Sequence, residues 1–124
     1  MESSFFTYLL TFLRKNAIQA HYSLPIKCTY PACEIDHLET LVFFEKEIIH
    51  FNVHLFFDGI SQQTLVDFSK KIEKLLESTP HDVGEKENFL AIIKVDGKKQ
   101  PLHERGKLRH LTMNCTALVR KVLK

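Results

Sequence analysis

Ten consecutive residues, Ile48 to Phe57, alternate so that Ile49, Phe51, Val53, Leu55 and Phe57 share one side and Ile48, His50, Asn52, His54 and Phe56 the other. A period of two is the signature of a strand, because successive side chains leave opposite faces of a pleated backbone. One side is wholly apolar and must be buried. The other carries two imidazoles and an amide, so it is either wet or covered by something that tolerates polar contacts. A sheet with one committed face is therefore the element around which the rest of the chain has to fold.

The flanking sequence supplies partners for this strand. Leu38 to Phe44 reads as a second strand, the charged trio Glu45, Lys46 and Glu47 as the turn, and the pair as antiparallel. Upstream, Leu24 to Thr29 predicts a first strand closed by Tyr30–Pro31, since proline removes an N–H and biases its predecessor toward extended geometry. Downstream, Phe89 to Val95 predicts a further strand, apolar on both sides apart from Lys94 and so expected to be central or covered. Asp96–Gly97 is a strong hairpin-turn signal, with Lys98 to Leu102 returning as a short edge strand defended by lysines and Pro101.

Helical periodicity brackets these strands. Residues 3–18 repeat Phe5, Leu9, Phe12 and Leu13 at helical spacing, with Ser3 or Ser4 as cap and Arg14 and Lys15 at the exit. Phe6 and Leu10 widen that stripe, which suggests packing on two sides or continuation into a dimer interface. Ser61 starts a helix through about Ser78, with Leu65, Phe68, Ile72, Leu75 and Leu76 as its buried stripe and Pro80 as its stop. A last helix is expected from about Arg105 to Leu123, with Leu108, Leu111, Cys115, Leu118, Val119 and Val122 on one side. The expected fold is one α+β domain over residues 1–124. It has two layers, an antiparallel sheet of four to five strands and three helices, in the order α-β-β-β-α-β-(β)-α.

That order of elements resembles the type III secretion chaperones and related two-layer adaptors. The resemblance rests on element order and on no particular residue. It implies a protein that dimerises and holds a partner chain against its sheet.

Chemistry-bearing motifs are sparse. The chain contains no G-x-S-x-G elbow, Walker loop, G-x-G-x-x-G or H-E-x-x-H. Cys28, Cys33 and His37 form a C-x4-C-x3-H string, but a structural zinc site needs a fourth ligand, which His21, His50, His54 or Cys115 would have to bring from elsewhere. Cysteines this few act mostly as small hydrophobes. On a strand, His50 and His54 lie roughly 13 Å apart, too far to share an ion. Glu34 with Asp36 and Glu45 with Glu47 read as solvated turns. The sequence identifies no catalytic residue, metal ligand set, cofactor or small-molecule substrate. An enzyme stays open as a third reading, since an active site can be assembled in space, and a deep pocket gathering His and carboxylate side chains would support it.

Two further expectations concern location. The apolar run Phe5–Leu13 falls far short of the ~20 residues needed to cross a bilayer, and its positive charges follow rather than precede it, unlike a secretory signal. No membrane span is expected, and the three cysteines, being odd in number and sparse, point to an intracellular, cytoplasmic chain with reduced thiols.

Charge gives the sharpest lead toward a partner. The net +2 conceals eight Lys/Arg against thirteen Asp/Glu in residues 1–93, and nine against two from Lys94 onward, which is −5 and +7. Such asymmetry bears on partners and association rates. Lysines on an edge strand and cations at a helix C-terminus have structural explanations. Arg105, Lys107 and Arg109, placed near a helix start, suit a phosphate or an acidic protein segment better. Two partners follow. One is another protein, an acidic or apolar segment or a second copy, engaged by Lys98, Lys99, Arg105, Lys107, Arg109 and the sheet face of His50, Asn52, His54 and Phe56. The other is nucleic acid on the basic quarter, although no aromatic side chain interleaves that cluster to stack bases.

Overall fold

The computed structural model describes residues 2–25, 29–58, 62–78, 80–83, 89–99 and 108–121. Within them the chain runs α1 (Glu2–Lys15), β1 (Gln19–His21), β2 (Ala32–Phe43), β3 (Lys46–Asp58), α2 (Gln62–Leu76), β4 (His81–Asp82), β5 (Phe89–Lys99) and β6 (Leu108–Lys121). The strands form one six-stranded sheet in the order β1-β2-β3-β6-β5-β4. The β1–β2 pairing is parallel and the others are antiparallel. The sheet is curled into a half-barrel.

This corrects the expected two-layer arrangement of four to five antiparallel strands and three helices. The described residues hold six strands, mixed in direction, and two helices. The decisive difference is β6, where a third helix was expected. Leu111, Met113, Cys115, Ala117 and Val119 are all buried and lie two apart, whereas the helical stripe had left Met113 and Ala117 on its polar side. Between them stand Thr112, Asn114 and Thr116, poor helix formers that suit a pleated surface. The helical reading was carried by Leu118 together with Leu111, Cys115 and Val119, which satisfy both periods. With its last helix replaced by a strand, the element order no longer matches the secretion-chaperone pattern at its C-terminal end.

Three smaller corrections follow. Asp96–Gly97 is no hairpin turn. Pairing with β6 continues through it with a register shift between Val95 and Gly97, a bulge that absorbs one extra residue. Nor is β5 covered on both sides: Ala91 and Ile93 are buried, but Ile92 between them is 53% exposed. The first strand is β1 at Gln19–His21; of the expected Leu24–Thr29, residues 26–28 lie outside the described residues and Leu24, Pro25 and Thr29 are in no strand.

Both helices cover the same face of the sheet. From α1, Phe5, Leu9 and Leu13 are fully buried, and Phe5 meets Phe51 of β3 edge-on at 5.6 Å between ring centres. The wide stripe of α1 is used inside the chain, since Phe6 and Leu10 are 7% exposed and Phe6 packs against Phe51. The helix ends in a Schellman motif: Ile18 N–H donates to Leu13 O, Ala17 N–H to Arg14 O, and Ala17 adopts φ 62°. From α2, Leu65, Ile72 and Leu76 are fully buried. His81 ties the helices together, its Nδ1 accepting from the Tyr8 hydroxyl at 2.7 Å while Nε2–H donates to Leu76 O at 2.7 Å. The Leu76 carbonyl can only accept, so Nε2 carries a proton.

A candidate docking face

Among the described residues, no helix lies on the opposite face of the sheet. Antiparallel register places the even-numbered residues of β3 and β6 here, opposite each other, and the outward residues of β2 and β5 beside them. The face reads as rows across four strands, β2-β3-β6-β5. The first is Leu41–Ile48–Leu118–Ile92, the second Glu39–His50–Thr116–Lys94 and the third Asp36–Asn52–Asn114–Gly97. The fourth is Glu34–His54–Thr112–Lys99, and beyond it Phe56 pairs with His110.

The first row is apolar from strand to strand, with Leu41 39% and Ile92 53% exposed at its ends. Glu34, Asp36 and Glu39 stand on β2 and Lys94 and Lys99 on β5, where Asp96 adds one carboxylate at the bulge, with imidazole, amide and hydroxyl groups between the two strands. The charge asymmetry along the chain is thus laid out across about 14 Å of sheet, three strand spacings.

The polar side chains form two chains of contacts. His54 lies between Asp36, whose Oδ2 is 3.6 Å from its Nε2, and His110, whose Nε2 is 3.1 Å from its Nδ1. Thr112 Oγ1 joins at 2.9 Å from His54 Nδ1 and 3.2 Å from His110 Nε2. The His110 ring stacks on Phe56 at 4.6 Å and 9°. In the second chain, Thr116 Oγ1 lies 3.2 Å from His50 Nδ1 and donates to Asp96 Oδ2. Between the two, Asn52 Oδ1 is enclosed without a hydrogen-bond partner.

This arrangement is not a metal site. Asp36 and His110 address opposite nitrogens of His54, and a ring's two lone pairs diverge, so one ion cannot take all three as ligands. Among the described residues no group of three or more His, Cys, Asp or Glu is arranged to hold a metal. The Cys28–Cys33–His37 string is only partly within the described residues. Cys28 lies outside the described residues, Cys33 is fully buried on the helix-covered face, and burial pushes its thiol up to about 12. Cys115 is likewise held at about 12, chiefly by burial. His37 is exposed on the helix side, against Phe6.

Of the expected site residues, His50, Asn52, His54 and Phe56 come together on this face, and Lys99 joins them opposite Thr112. Lys98 points the other way. It forms an ion pair with Glu73 of α2 at 3.3 Å and donates to Ser69 Oγ at 3.4 Å. Arg109 pairs with Phe57 and lies on the helix side of β6. Arg105 and Lys107 lie outside the described residues. The cations of the basic quarter that are described are therefore divided between both faces. Glu34 and Asp36, expected in a turn, stand on β2, where Glu34 Oε2 accepts from the Leu24 N–H at 3.1 Å.

Sequence reasoning missed His110, Thr112, Asn114 and Thr116 because it placed them on a helix. The alternation of polar and apolar residues from Leu111 to Val119 was the available signal. No family model matches the sequence, and no curated protein resembles it significantly. No helix among the described residues is long and apolar enough to cross a membrane.

Proposed function

We propose that the chain is a non-enzymatic protein-interaction domain, an adaptor or chaperone-like module, and that another polypeptide docks on the open sheet face. The observation that supports this reading is the cross-strand row Leu41–Ile48–Leu118–Ile92, an apolar ladder on the face opposite the two described helices. Apolar surface left accessible in a contiguous row is the usual mark of an interaction site, and a polar rim beside it supplies register and specificity. On the β5 side, Lys94 and Lys99 suit an acidic partner segment; on the β2 side, Glu39 and Asp36 suit a basic one.

A photo-crosslinking residue at Ile92, compared with one at Lys71 on α2, tests the reading in cells. Adducts with polypeptide from position 92 and none from 71 are expected. The reverse pattern contradicts the reading. Adducts with nucleic acid that vanish steeply as salt rises, with a log–log slope of roughly −0.7 to −0.9 per phosphate, would favour phosphate binding by the basic quarter.

A further inference from the structure

The open face is complementary to itself in one orientation. Consider a second copy laid face to face on the first and related by a two-fold axis that runs parallel to the strands, between β3 and β6. That operation exchanges left and right across the sheet and leaves position along the strands unchanged. Each row therefore meets the same row reversed. Leu41 faces Ile92 of the second copy and Ile48 faces Leu118. Glu39 faces Lys94, Glu34 faces Lys99, and the imidazole and amide groups of β3 face the hydroxyl and amide groups of β6. Because the interface is isologous, every contact is made twice.

The other face-to-face two-fold, perpendicular to the strands, fails on the same residues. It would set β2 against β2, carboxylate against carboxylate, and turn the apolar row onto the polar end. With the axis along the strands, the two sheets also pack with their strands nearly aligned, a common arrangement for stacked sheets. Laid flat, four strands by five rows would cover on the order of 600 Å² from strand and residue spacings. The curl of the sheet makes this an upper bound, which places the contact below the roughly 800 Å² per partner of a standard interface and in the range of a weak, concentration-dependent dimer.

We infer that the occupant of this face is a second copy of the chain, docked about a two-fold axis parallel to β3 and β6. This rests on the docking reading above and names its partner. Two contacts are unfavourable: in the outermost row, Phe43–Lys46–Arg120–Leu90, Lys46 meets Arg120 of the second copy, and Asp96, held on this face by Thr116 at the bulge beside Gly97, comes near Asp36 of the second copy. All four side chains are exposed in the single copy, so both repulsions are screened. The first also provides a test in which a substitution strengthens binding.

Sedimentation equilibrium on the full chain, with circular dichroism confirming that each variant is folded, decides the matter. Ile92→Asp should raise the dimer dissociation constant by roughly 100-fold, since it places a charge opposite Leu41 in the apolar row. Glu39→Lys and Lys94→Glu should each raise it by about tenfold, converting two attractions per dimer into repulsions. The double variant Glu39→Lys/Lys94→Glu should return to within about threefold of the original, and Arg120→Glu should tighten the dimer several-fold. Within one chain Glu39 and Lys94 are about 14 Å apart and screened from each other, so recovery in the double variant reports a contact between copies.

A chain that stays monomeric at about 200 μM, a dimer indifferent to Ile92→Asp, or charge reversals that merely add would overturn the inference. A monomer that still forms polypeptide adducts from position 92 overturns self-association and leaves the docking reading standing. A monomer without such adducts removes both.

Discussion

The two faces of this sheet are built from the same four central strands and end in opposite states. On one, Phe51, Val53, Leu55, Met113, Ala117 and Val119 vanish under α1 and α2. On the other, the residues between them remain half accessible and are joined by short polar contacts. Burial on the first face supplies stability at about 25 cal/mol per Å² of apolar surface. Hydrogen bonds among groups that water could also satisfy contribute little net energy. The comparison teaches that side chains one residue apart on a strand can be separated into those that hold the fold and those free to serve a partner.

The comparison breaks most visibly at adjacent residues of β3. Phe51→Ala should cost about 3–5 kcal/mol, because a fully buried ring contacting Phe5 and Phe6 leaves a cavity. Asn52→Ala, next in sequence but on the open face, should cost less than about 1 kcal/mol, since its enclosed Oδ1 has no partner to lose. Urea unfolding measures both. Equal losses at the two positions would mean that the open face also carries the fold.

A second test lies where the helices meet. Tyr8→Phe removes the donor to His81 Nδ1 and leaves that buried nitrogen unsatisfied, for a loss of about 1–3 kcal/mol. Burial and the Asp82 carboxylate hold the Tyr8 hydroxyl above its usual range, so it keeps its proton, and this bond, into alkaline solution. His50→Ala on the open face, which loses a contact to Thr116 of similar kind, should fall within about 1 kcal/mol of the native protein.

Of these features β3 and the second half of β2 were legible in the sequence, because Ile49 to Leu55 alternates and charged residues follow Phe44 directly. Ala32 to His37 were not, their carboxylates reading as turn residues, and Lys46 and Glu47, expected in the turn, already belong to β3. Helix α2 was legible too, since its apolar stripe has no competing period. β6 was not, since Leu111, Cys115 and Val119 satisfy helix and strand alike, Leu118 fits the helix alone, and only Met113 and Ala117 point to the strand. The same ambiguity hid half of the open face. Histidines 50 and 54 could be placed by alternation, but Asp36, His110 and Thr112 reach them only through pairings between residues distant in sequence. The Asp96–Gly97 pair misled because a bulge and a tight turn draw on the same residue types.

Alkaline pH sharpens the contrast in a third way. Cys33 and Cys115, both on the covered face, are raised from 9.0 to about 12, mainly by burial. The folded chain thus keeps these protons after the unfolded chain has released them. Their contribution is complete below about pH 9 and is lost as pH climbs toward 12. Unfolding free energy measured across that window should fall, and neither thiol should react with a disulfide reagent in the folded protein at neutral pH. Rapid labelling of Cys33 or Cys115 without unfolding would show that the covered face opens.

The smallest effect is at the exit of α1. Ala17 holds φ 62° in a Schellman motif that glycine fills without steric cost, so Ala17→Gly should stabilise by up to about 1 kcal/mol. The change leaves the open face untouched and should leave dimerisation unchanged. A shift in the dissociation constant would tie the end of α1 to the docking surface.

The claim that the face opposite α1 and α2 is the docking surface, and a second copy its occupant, is tested most directly by methyl NMR on Ile-, Leu- and Val-labelled protein during dilution. The account predicts that Ile92, Leu118, Ile48 and Leu41 shift together along one binding curve, while Val42 on the other side of β2 and the buried Leu65 of α2 stay still. Shifts confined to Val42 at the hairpin, or no concentration dependence at Ile92 and Leu118, would contradict it.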